Sequence, residues 1–492
     1  MLFNSTEFFI FFPVVVTLYF LTPYNRRWLI LLLASYYFYA SWKPAYTLIL
    51  VISTLIDYFC GRAMGRYTDD EKNKRKPFLY LSLASNLGIL GLFKYYNFFN
   101  DSARDIAHTL DMAYAMPAFE LLLPMGISFY TFQTMSYSID VYQGRIKPER
   151  HLGIFALFVT FFPQLVAGPI ERAGNLLGQL KTDHDFRYER VVAGLRRMGW
   201  GFFKKIMIAD NLALMVNQVY NNPTDYEGIT LILATIFFAF QIYCDFSGYS
   251  DIAIGAAQVM GFRLMENFRR PYFSKSISEF WSRWHISLSS WFRDYLYIPL
   301  GGNRVIKWRW YYNLFITFLV SGLWHGANWT FVVWGALHGF YLVFAIVTAK
   351  QRNALAGMLG LTSHPTLYKW VQVLSVFVLV CFSWVFFRAN TIGDAVYIIQ
   401  SSFAGLGNVR QLFSAADLNH MLFMDQGFKV FAVSVISILI METVHLIQRK
   451  GSVSQLISRR PVWVRWGVYY AAIIAVLLFG QFGHQEFIYF QF

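Results

Sequence analysis

Two histidines have surroundings in which an imidazole could do chemistry. His325 belongs to the apolar run SGLWHGANWTFVVWGALHG (321–339), and His285 lies in WSRWHIS beside Trp281 and Trp284. A neutral imidazole can take the proton of a hydroxyl, which is a poor nucleophile at its own pKa. These residues therefore permit general-base catalysis of transfer to a hydroxyl. For each, the structural alternative is a neutral, hydrogen-bonded core histidine.

Other reaction chemistries lack the residues they need. The sequence has no HExxH and no histidine pair four residues apart, and no histidine lies near Asp245 or Asp251, so we expect no metal site. The absence of GxSxG, of a Walker A lysine and of GxGxxG argues against a serine hydrolase and an ATP-driven transporter. Cys60, Cys244 and Cys381 lie in apolar runs without CxxC spacing, which predicts buried, inert thiols.

The composition indicates a membrane protein. Of the 492 residues, 56% are hydrophobic and only 14% are charged, against about a quarter charged in soluble domains. Apolar runs of about 15 to 23 residues recur along the chain. We expect an all-α polytopic protein with about 11–13 membrane segments, some short or re-entrant, around a central funnel. It should form one domain over 1–492, with a catalytic core at about 119–349 and further helices over 350–492.

The positive charge follows the topology of a membrane protein. The net charge of +14 falls in short segments between apolar runs, which favours basic loops facing anionic lipid over nucleic-acid binding. The stretch 61–77 and the segment 263–309, with nine Lys and Arg against three acids, are predicted to be cytoplasmic. This pattern puts both termini outside. The run Glu7–Pro23 is interpreted as a retained span, because no basic residue precedes it and no small-residue cleavage pattern follows it.

His325 is predicted to lie at the apex of a hairpin. It follows Arg309 by sixteen positions, a helical rise of about 24 Å in a hydrocarbon core of about 30 Å. Gly322, Gly326 and Asn328 weaken helical continuity, and a second apolar run then leads back to the cytoplasmic side. An ionisable side chain at such depth indicates a functional site by default.

Two neighbouring features carry further predictions. The segment 155–169 contains two prolines and leads into basic residues, which favours a broken or re-entrant helix. His338 follows His325 by thirteen residues, about 20 Å along one helix, and is interpreted as structural unless the helix breaks.

The surroundings of His285 predict an amphipathic helix. Its imidazole would either pack among indoles or project into the same cavity as His325. The apolar stripe at helical spacing consists of Trp281, Trp284, Leu288 and Trp291.

Five long motifs in order make the chain resemble the membrane-bound O-acyltransferase superfamily, most closely its bacterial alginate O-acetyltransferase branch. The family's membrane histidine falls on His325 and its upstream histidine on His285. The D-alanyl-teichoic-acid branch is similar, but the long portion after Gly339 fits the alginate type better. The motifs are QLVAGPIER (164–172), YCDFSGYSDIAIG (243–255), ENFRRPYFSKSISEFWSRWHISLSSWFRDYLYIPLGGNR (266–304), the run 321–339 and FGHQEFIYFQF (482–492).

The resemblance implies an acyltransferase of the bacterial inner membrane with His325 and His285 as catalytic residues. An acetyl group from cytoplasmic acetyl-CoA would be handed across the membrane for an exported polysaccharide such as alginate, often through a separate periplasmic or extracellular acetyltransferase. Arg269, Arg270 and Arg283 could attract coenzyme A phosphates, although solvated cytoplasmic charge explains them nearly as well.

Three alternatives stay open at this point. The acyl group could be D-alanyl or another acyl group bound for a cell-wall polymer. A polysaccharide transporter would explain intramembrane histidines, but the chain lacks corresponding broken helices in two halves. A scaffold that only docks periplasmic partners gives no reason for His325.

The predicted topology can be tested by labelling single cysteines from the outer face of intact cells. A cysteine at position 108, in the loop predicted outside, should react with a membrane-impermeant maleimide. A cysteine at position 72, in the basic loop predicted inside, should react only after the cells are opened. Labelling at position 72 alone in intact cells would contradict the layout.

Overall fold

The computed structural model describes residues 1–119, 122–166, 168–404, 415–449, 451, 453–482 and 487–488. All regular secondary structure in these ranges is helical. The prediction of an all-α polytopic membrane protein is confirmed. In chain order the α-helices are α1 (Thr6–Leu21), α2 (Tyr24–Ala40), α3 (Pro44–Met64), α4 (Lys72–Leu90), α5 (Tyr96–Thr109), α6 (Ile127–Tyr142), α7 (Leu152–Thr160), α8 (Phe162–Leu165), α9 (Ala173–Leu180), α10 (Tyr188–Phe202), α11 (Asp210–Asn221), α12 (Ile229–Met260), α13 (Ile277–Arg283), α14 (Ile286–Phe292), α15 (Lys307–His325), α16 (Trp329–Val347), α17 (Ala349–Met358), α18 (Pro365–Arg388), α19 (Ile392–Ser401), α20 (Ala415–Met421), α21 (Gly427–Gln448), α22 (Val453–Ser458) and α23 (Val462–Phe479).

Seven helical stretches within the described ranges are long and apolar enough to cross a membrane. Helix α1 is equally apolar in character but has only 16 residues, and the predicted 11–13 segments include short helices of this kind. The full count and the central funnel stay predictions. The seven stretches are α3, Asp69–Thr109, α12, α16, α18, α21 and α23.

The chain forms two compact units. The first comprises residues 1–198 and 250–266, and the second comprises 199–249 and 267–492. His285 and His325 both belong to the second unit. The predicted single domain and its core boundaries stay predictions.

A buried polar cluster joins three helices of the first unit. Asp57 in α3 is fully buried and accepts hydrogen bonds from Oγ of Ser82, at 2.5 Å, and from Nδ2 of Asn86, at 2.9 and 3.0 Å, both in α4. Thr134 in α6 donates to Oδ1 of Asn86 at 2.9 Å. Because an unsatisfied carboxyl in an apolar interior is costly, this network favours one arrangement of α3, α4 and α6.

The predicted break of helix 155–169 is confirmed in the first unit. Helix α7 ends at Thr160, and α8 has only four residues, with Pro163 in its first turn. A proline is tolerated there because the first amides of a helix have no partner within it. Ala167 of the motif QLVAGPIER lies outside the described residues.

The predicted hairpin break is also confirmed, in the second unit. Helix α15 ends at His325 and α16 begins at Trp329, where Oδ1 of Asn328 accepts the N–H of Thr330 at 3.0 Å. The two helices touch through glycines. A Cβ on Gly322 would lie 3.0 Å from the Cα of Gly335 and still closer to a backbone carbonyl of α16. Small residues therefore allow the two backbones to approach closely.

Replacing Gly322 by Ala should destabilise the protein, because the methyl group meets backbone atoms rather than a mobile side chain. Such overpacking costs about 1–3 kcal/mol, so the thermal unfolding midpoint in detergent should fall. Gly357→Ala is the control. Gly357 lies in α17, where an added Cβ would meet no atom within 4 Å apart from its own stretch of helix, and alanine is the better helix former. A Gly322→Ala midpoint no lower than that of the control would contradict the close packing.

Candidate active site

His325 lies within a ring of aromatic side chains. It is the last residue of α15, and only 3% of its surface is exposed. Its ring centroid lies 5.1 Å from Trp324, 4.9 Å from Trp334 and 5.4 Å from Phe387, each at an interplanar angle between 70° and 86°. Edge-on contacts of this kind hold an imidazole in a defined orientation. The structure thus places the predicted base at the helix end in a buried aromatic cluster.

His285 lies between two short helices, and the prediction of one amphipathic helix there is wrong. Helix α13 ends at Arg283, and α14 begins at Ile286. The break occurs because His285 adopts a left-handed backbone conformation (φ +43°) and its Nδ1 accepts the N–H of Leu288 at 3.3 Å. The imidazole is therefore the N-cap of α14. The residues of the predicted stripe are all buried: Trp281, Trp284, Leu288 and Trp291.

The preceding loop braces this turn. Asn267 accepts the N–H of Ile286 at its backbone carbonyl, at 3.0 Å, and the hydroxyl of Ser287 at its side-chain oxygen, also at 3.0 Å. The N–H of Arg269 donates to the carbonyl of Arg283 at 2.9 Å. A left-handed non-glycine residue persists only where its surroundings determine it. The motif that begins ENFRR supplies those contacts.

The hydrogen bonding of His285 assigns its tautomer. Burial lowers the pKa of His285 to about 3, so the ring is neutral at physiological pH. Because Nδ1 accepts a hydrogen bond from the backbone, the single ring proton belongs on Nε2. In this tautomer His285 can donate a hydrogen bond through Nε2.

The two predicted histidines meet at one indole. The ring of Trp324 lies 6.2 Å from the ring of His285 and 5.1 Å from that of His325. On another side, His285 contacts Phe246 of the motif YCDFSGYSDIAIG at 4.5 Å. The structure therefore places both candidate histidines against one indole.

His338 has the environment of a structural histidine. Its Nδ1 accepts the indole N–H of Trp281 at 3.2 Å, and its Nε2 lies 2.9 Å from the hydroxyl of Ser383, whose own hydrogen goes to a backbone carbonyl. The separation expected between His325 and His338 along one helix does not apply, because the helix breaks between α15 and α16. Trp334 lies 4.9 Å from both His338 and His325.

A buried ionic cluster in the second unit was missed by the sequence reasoning. Nζ of Lys205 lies 2.8 Å from Asp210 and 2.7 Å from Asp245, and all three side chains are almost completely buried. Burial acts to lower the pKa of Lys205, but the two carboxylates outweigh it and raise that pKa. The sequence pattern suggests a role for Asp245 only as a metal ligand, and it lacks the companion histidine. The available signal was a carboxylate in an apolar run, which needs a counter-charge.

The described part of the terminal motif contacts Asp245 and its neighbour Phe246. The N–H of Ile488 donates to Asp245 at 2.8 Å, and the ring of Phe487 lies 5.6 Å from Phe246, which contacts His285. Residues 483–486 and 489–492 of this motif lie outside the described residues.

The three cysteines are buried free thiols, as predicted. Across the described ranges of the chain, no three His, Cys, Asp or Glu side chains are grouped closely enough to hold a metal ion.

The match to a known protein family covers both candidate histidines. The model of the membrane-bound O-acyltransferase family matches residues 151–387, which include His285 and His325. The "Probable alginate O-acetylase AlgI" of Pseudomonas aeruginosa is 41% identical over 407 residues, which cover 82% of this chain and 75% of that protein. The chain belongs to the membrane-bound O-acyltransferase family. It is therefore an acyltransferase, as the motifs implied.

Two further relatives differ in the acyl group or polymer that they are named for. The "Peptidoglycan O-acetyltransferase" of Helicobacter pylori is 34% identical over 443 residues, covering 83% of this chain and 81% of its own length. The "Teichoic acid D-alanyltransferase" of Streptococcus thermophilus is 29% identical over 280 residues, covering 52% of this chain and 66% of its own length.

The neutral state of His285 predicts a pH effect on stability. The imidazole takes up a proton near pH 6.5 when unfolded but only near pH 3 when buried. Between these values the unfolded state binds more protons, so the wild type loses stability as the pH falls from 6.5 towards 3. Above pH 6.5 the group contributes no pH dependence.

His285→Asn should remove this contribution, because asparagine still accepts at the N-cap and tolerates a left-handed backbone. The unfolding midpoint should fall less steeply between about pH 7 and pH 5 in the variant than in the wild type. Identical slopes would contradict a buried neutral ring.

Proposed function

We propose that the protein transfers an acetyl group from cytoplasmic acetyl-CoA to a hydroxyl at the outer side of the bacterial inner membrane, for O-acetylation of an exported polysaccharide such as alginate. The observation that carries the proposal is that the rings of His285 and His325 both lie against the indole of Trp324. Relatives named for O-acetyl transfer to alginate and to peptidoglycan support both the acetyl group and the polymeric acceptor.

In this proposal His325 is the general base. Its imidazole takes the hydroxyl proton while the oxygen attacks the thioester carbon. The C–S bond then breaks, and the proton passes from the imidazolium to the departing thiolate, so that free thiol and O-acetyl ester are the products. The aromatic side chains of Trp324, Trp334 and Phe387 surround His325 and keep water away, which favours transfer over hydrolysis.

His285 serves as the electrophilic partner. Its Nε2–H donates to the carbonyl oxygen of the acetyl group as negative charge develops there. The N-cap bond from Leu288 fixes the ring, so little reorganisation is needed during the reaction. Because burial lowers the pKa of His285 to about 3, the ring stays neutral and does not take up a second proton from His325.

The remaining parts of the proposal concern the layout. The membrane-embedded domain spans 1–492 with its core at about 119–349 and both termini outside. A periplasmic or extracellular acetyltransferase partner completes modification of the polymer.

Three arginines are candidates for binding the phosphates of coenzyme A. Of these, Arg283 is already paired with Glu279 at 2.5 Å. Arg269 and Arg270 are therefore the better candidates for its phosphates.

His325→Ala should reduce acetyl transfer at least a hundredfold, because the hydroxyl loses its base. The measurement is transfer of labelled acetyl from acetyl-CoA to polysaccharide in membranes, with the partner proteins present. His364→Ala, which removes an exposed histidine, is the control and should keep full activity. Activity of His325→Ala within about tenfold of the wild type, or about 1.4 kcal/mol, at equal protein level would contradict the role of base.

A further inference from the structure

An apolar pocket opens in the first unit beside the turn between α1 and α2. Its volume is about 160 Å³. An apolar cavity of about 150 Å³ can hold a benzene ring, whereas sites for drug-sized ligands measure about 300–1,000 Å³. The pocket therefore has room for a short stretch of hydrocarbon chain rather than for a whole soluble cofactor. Its floor consists of almost completely buried side chains: Tyr19, Leu31, Ile154, Leu157 and Phe262.

Two ion pairs lie at the mouth of this pocket, where the chain leaves α9. Lys181 pairs with Glu149, and Nη1 of Arg27 lies 2.8 Å from Oδ1 of Asp183. In each pair one side chain is exposed and its partner is not. The exposed fractions are 51% for Lys181 and 53% for Asp183, against 3% for Glu149 and 16% for Arg27. The mouth therefore presents one cation and one anion outwards, two positions apart in the chain.

The inner member of each pair holds the exposed charge in place. Oε1 of Glu149 accepts two backbone N–H groups, at 2.8 and 2.9 Å, and Arg27 donates to two backbone carbonyls, at 2.9 and 3.0 Å. An ammonium has three donors and a carboxylate about four acceptor sites. Lys181 and Asp183 can therefore each keep their partner and bind a ligand at the same time.

The surroundings of the pocket indicate lipid rather than water. In the predicted topology the N-terminus is outside, so α1 brings the turn to the cytoplasmic surface of the membrane. The apolar side chains of Leu21 and Tyr24 at the turn are exposed. Phe186, which packs against Phe20 of α1 at 5.4 Å, is exposed as well. Aromatic and apolar side chains at this depth are typical of contact with lipid headgroups.

The charges at the mouth match a zwitterionic headgroup. The phosphate of a phospholipid can bind the ammonium of Lys181, and a primary ammonium can donate to the carboxylate of Asp183. A phosphoethanolamine headgroup carries both groups. A phosphocholine headgroup has no N–H to donate, and a phosphoglycerol headgroup has no cation for Asp183. The paired charges at the mouth cancel, so they give no preference for an anionic lipid.

We propose that this pocket binds a phospholipid of the inner leaflet that has a phosphoethanolamine headgroup. Its phosphate contacts Lys181, its ammonium contacts Asp183, and the start of one acyl chain covers the apolar floor. The lipid thereby links the turn between α1 and α2 to the segment that follows α9. The site belongs to the first unit and does not depend on the acyl-transfer chemistry proposed for the second.

Lipid binding to the purified protein tests this proposal. The full-length protein is stripped of lipid in detergent and titrated with phosphatidylethanolamine, phosphatidylcholine and phosphatidylglycerol of identical acyl chains, and bound lipids are counted by native mass spectrometry. The wild type should bind phosphatidylethanolamine at least about threefold more tightly than the other two. Asp183→Asn should lose this preference, and Asp183→Glu should retain it. Lys181→Gln should weaken binding of all three lipids, because all three carry the phosphate.

Two controls separate this site from other causes. Lys74→Gln removes an exposed lysine that is likewise paired with an acid on the predicted cytoplasmic side, and it should bind lipids as the wild type does. Glycerophosphoethanolamine, the headgroup without acyl chains, should bind at least about tenfold more weakly than the lipid. Equal affinity of the wild type for the three lipids, or an unchanged preference in Asp183→Asn, would overturn the proposal. Equally tight binding of the headgroup alone would show a site for a soluble ligand and would also contradict it.

Discussion

The backbone contact between Gly322 and Gly335 is the constraint on which the candidate active site depends. Because α15 and α16 approach so closely, the chain has to reverse within the few residues that separate them. Irregular backbone at membrane depth must find its partners inside the protein. The side chain of Asn328 provides one of them by capping α16. His325 is thereby left at the end of a helix, with its ring facing neighbours from α16 and α18 rather than lipid.

Both candidate catalytic histidines lie at helix termini. The two termini differ in the hydrogen bonds that they require of an imidazole. His285 begins α14, where the first backbone amides need an acceptor, and it is therefore fixed as an acceptor at Nδ1. His325 is the last residue of α15, so its ring is not needed as an acceptor for the first amides of a helix. In the proposed reaction the same residue type therefore takes two roles, donor and base. Trp324 is the side chain that both rings touch.

The parts of this structure that sequence reasoning predicted are those determined locally or by composition. The hairpin at His325 followed from glycines and an asparagine within an apolar run, and the all-α class followed from the length and recurrence of such runs. The break at His285 could not be predicted in the same way. Its left-handed backbone depends on hydrogen bonds to Asn267 and on burial against Phe246, contacts that the local spacing of indoles does not reveal.

Long-range pairing explains the other residues that escaped prediction. Lys205 meets Asp245 from forty residues away in sequence, and Arg388 meets Asn217 across 171 residues. A charged residue in an apolar run shows that a partner is needed, but the sequence alone does not say which one.

A double-mutant cycle on acetyl transfer tests most directly whether His285 and His325 act as one unit around Trp324. The rates of His325→Ala, of His285→Asn and of the double variant are compared with the wild type. His285→Phe serves as a second single change, which keeps a ring but loses the cap. If one residue supplies the base and the other the oxyanion donor in the same step, the double variant should be hardly slower than the slower single variant. Losses that simply multiply, or full activity in both His285 variants, would contradict the account.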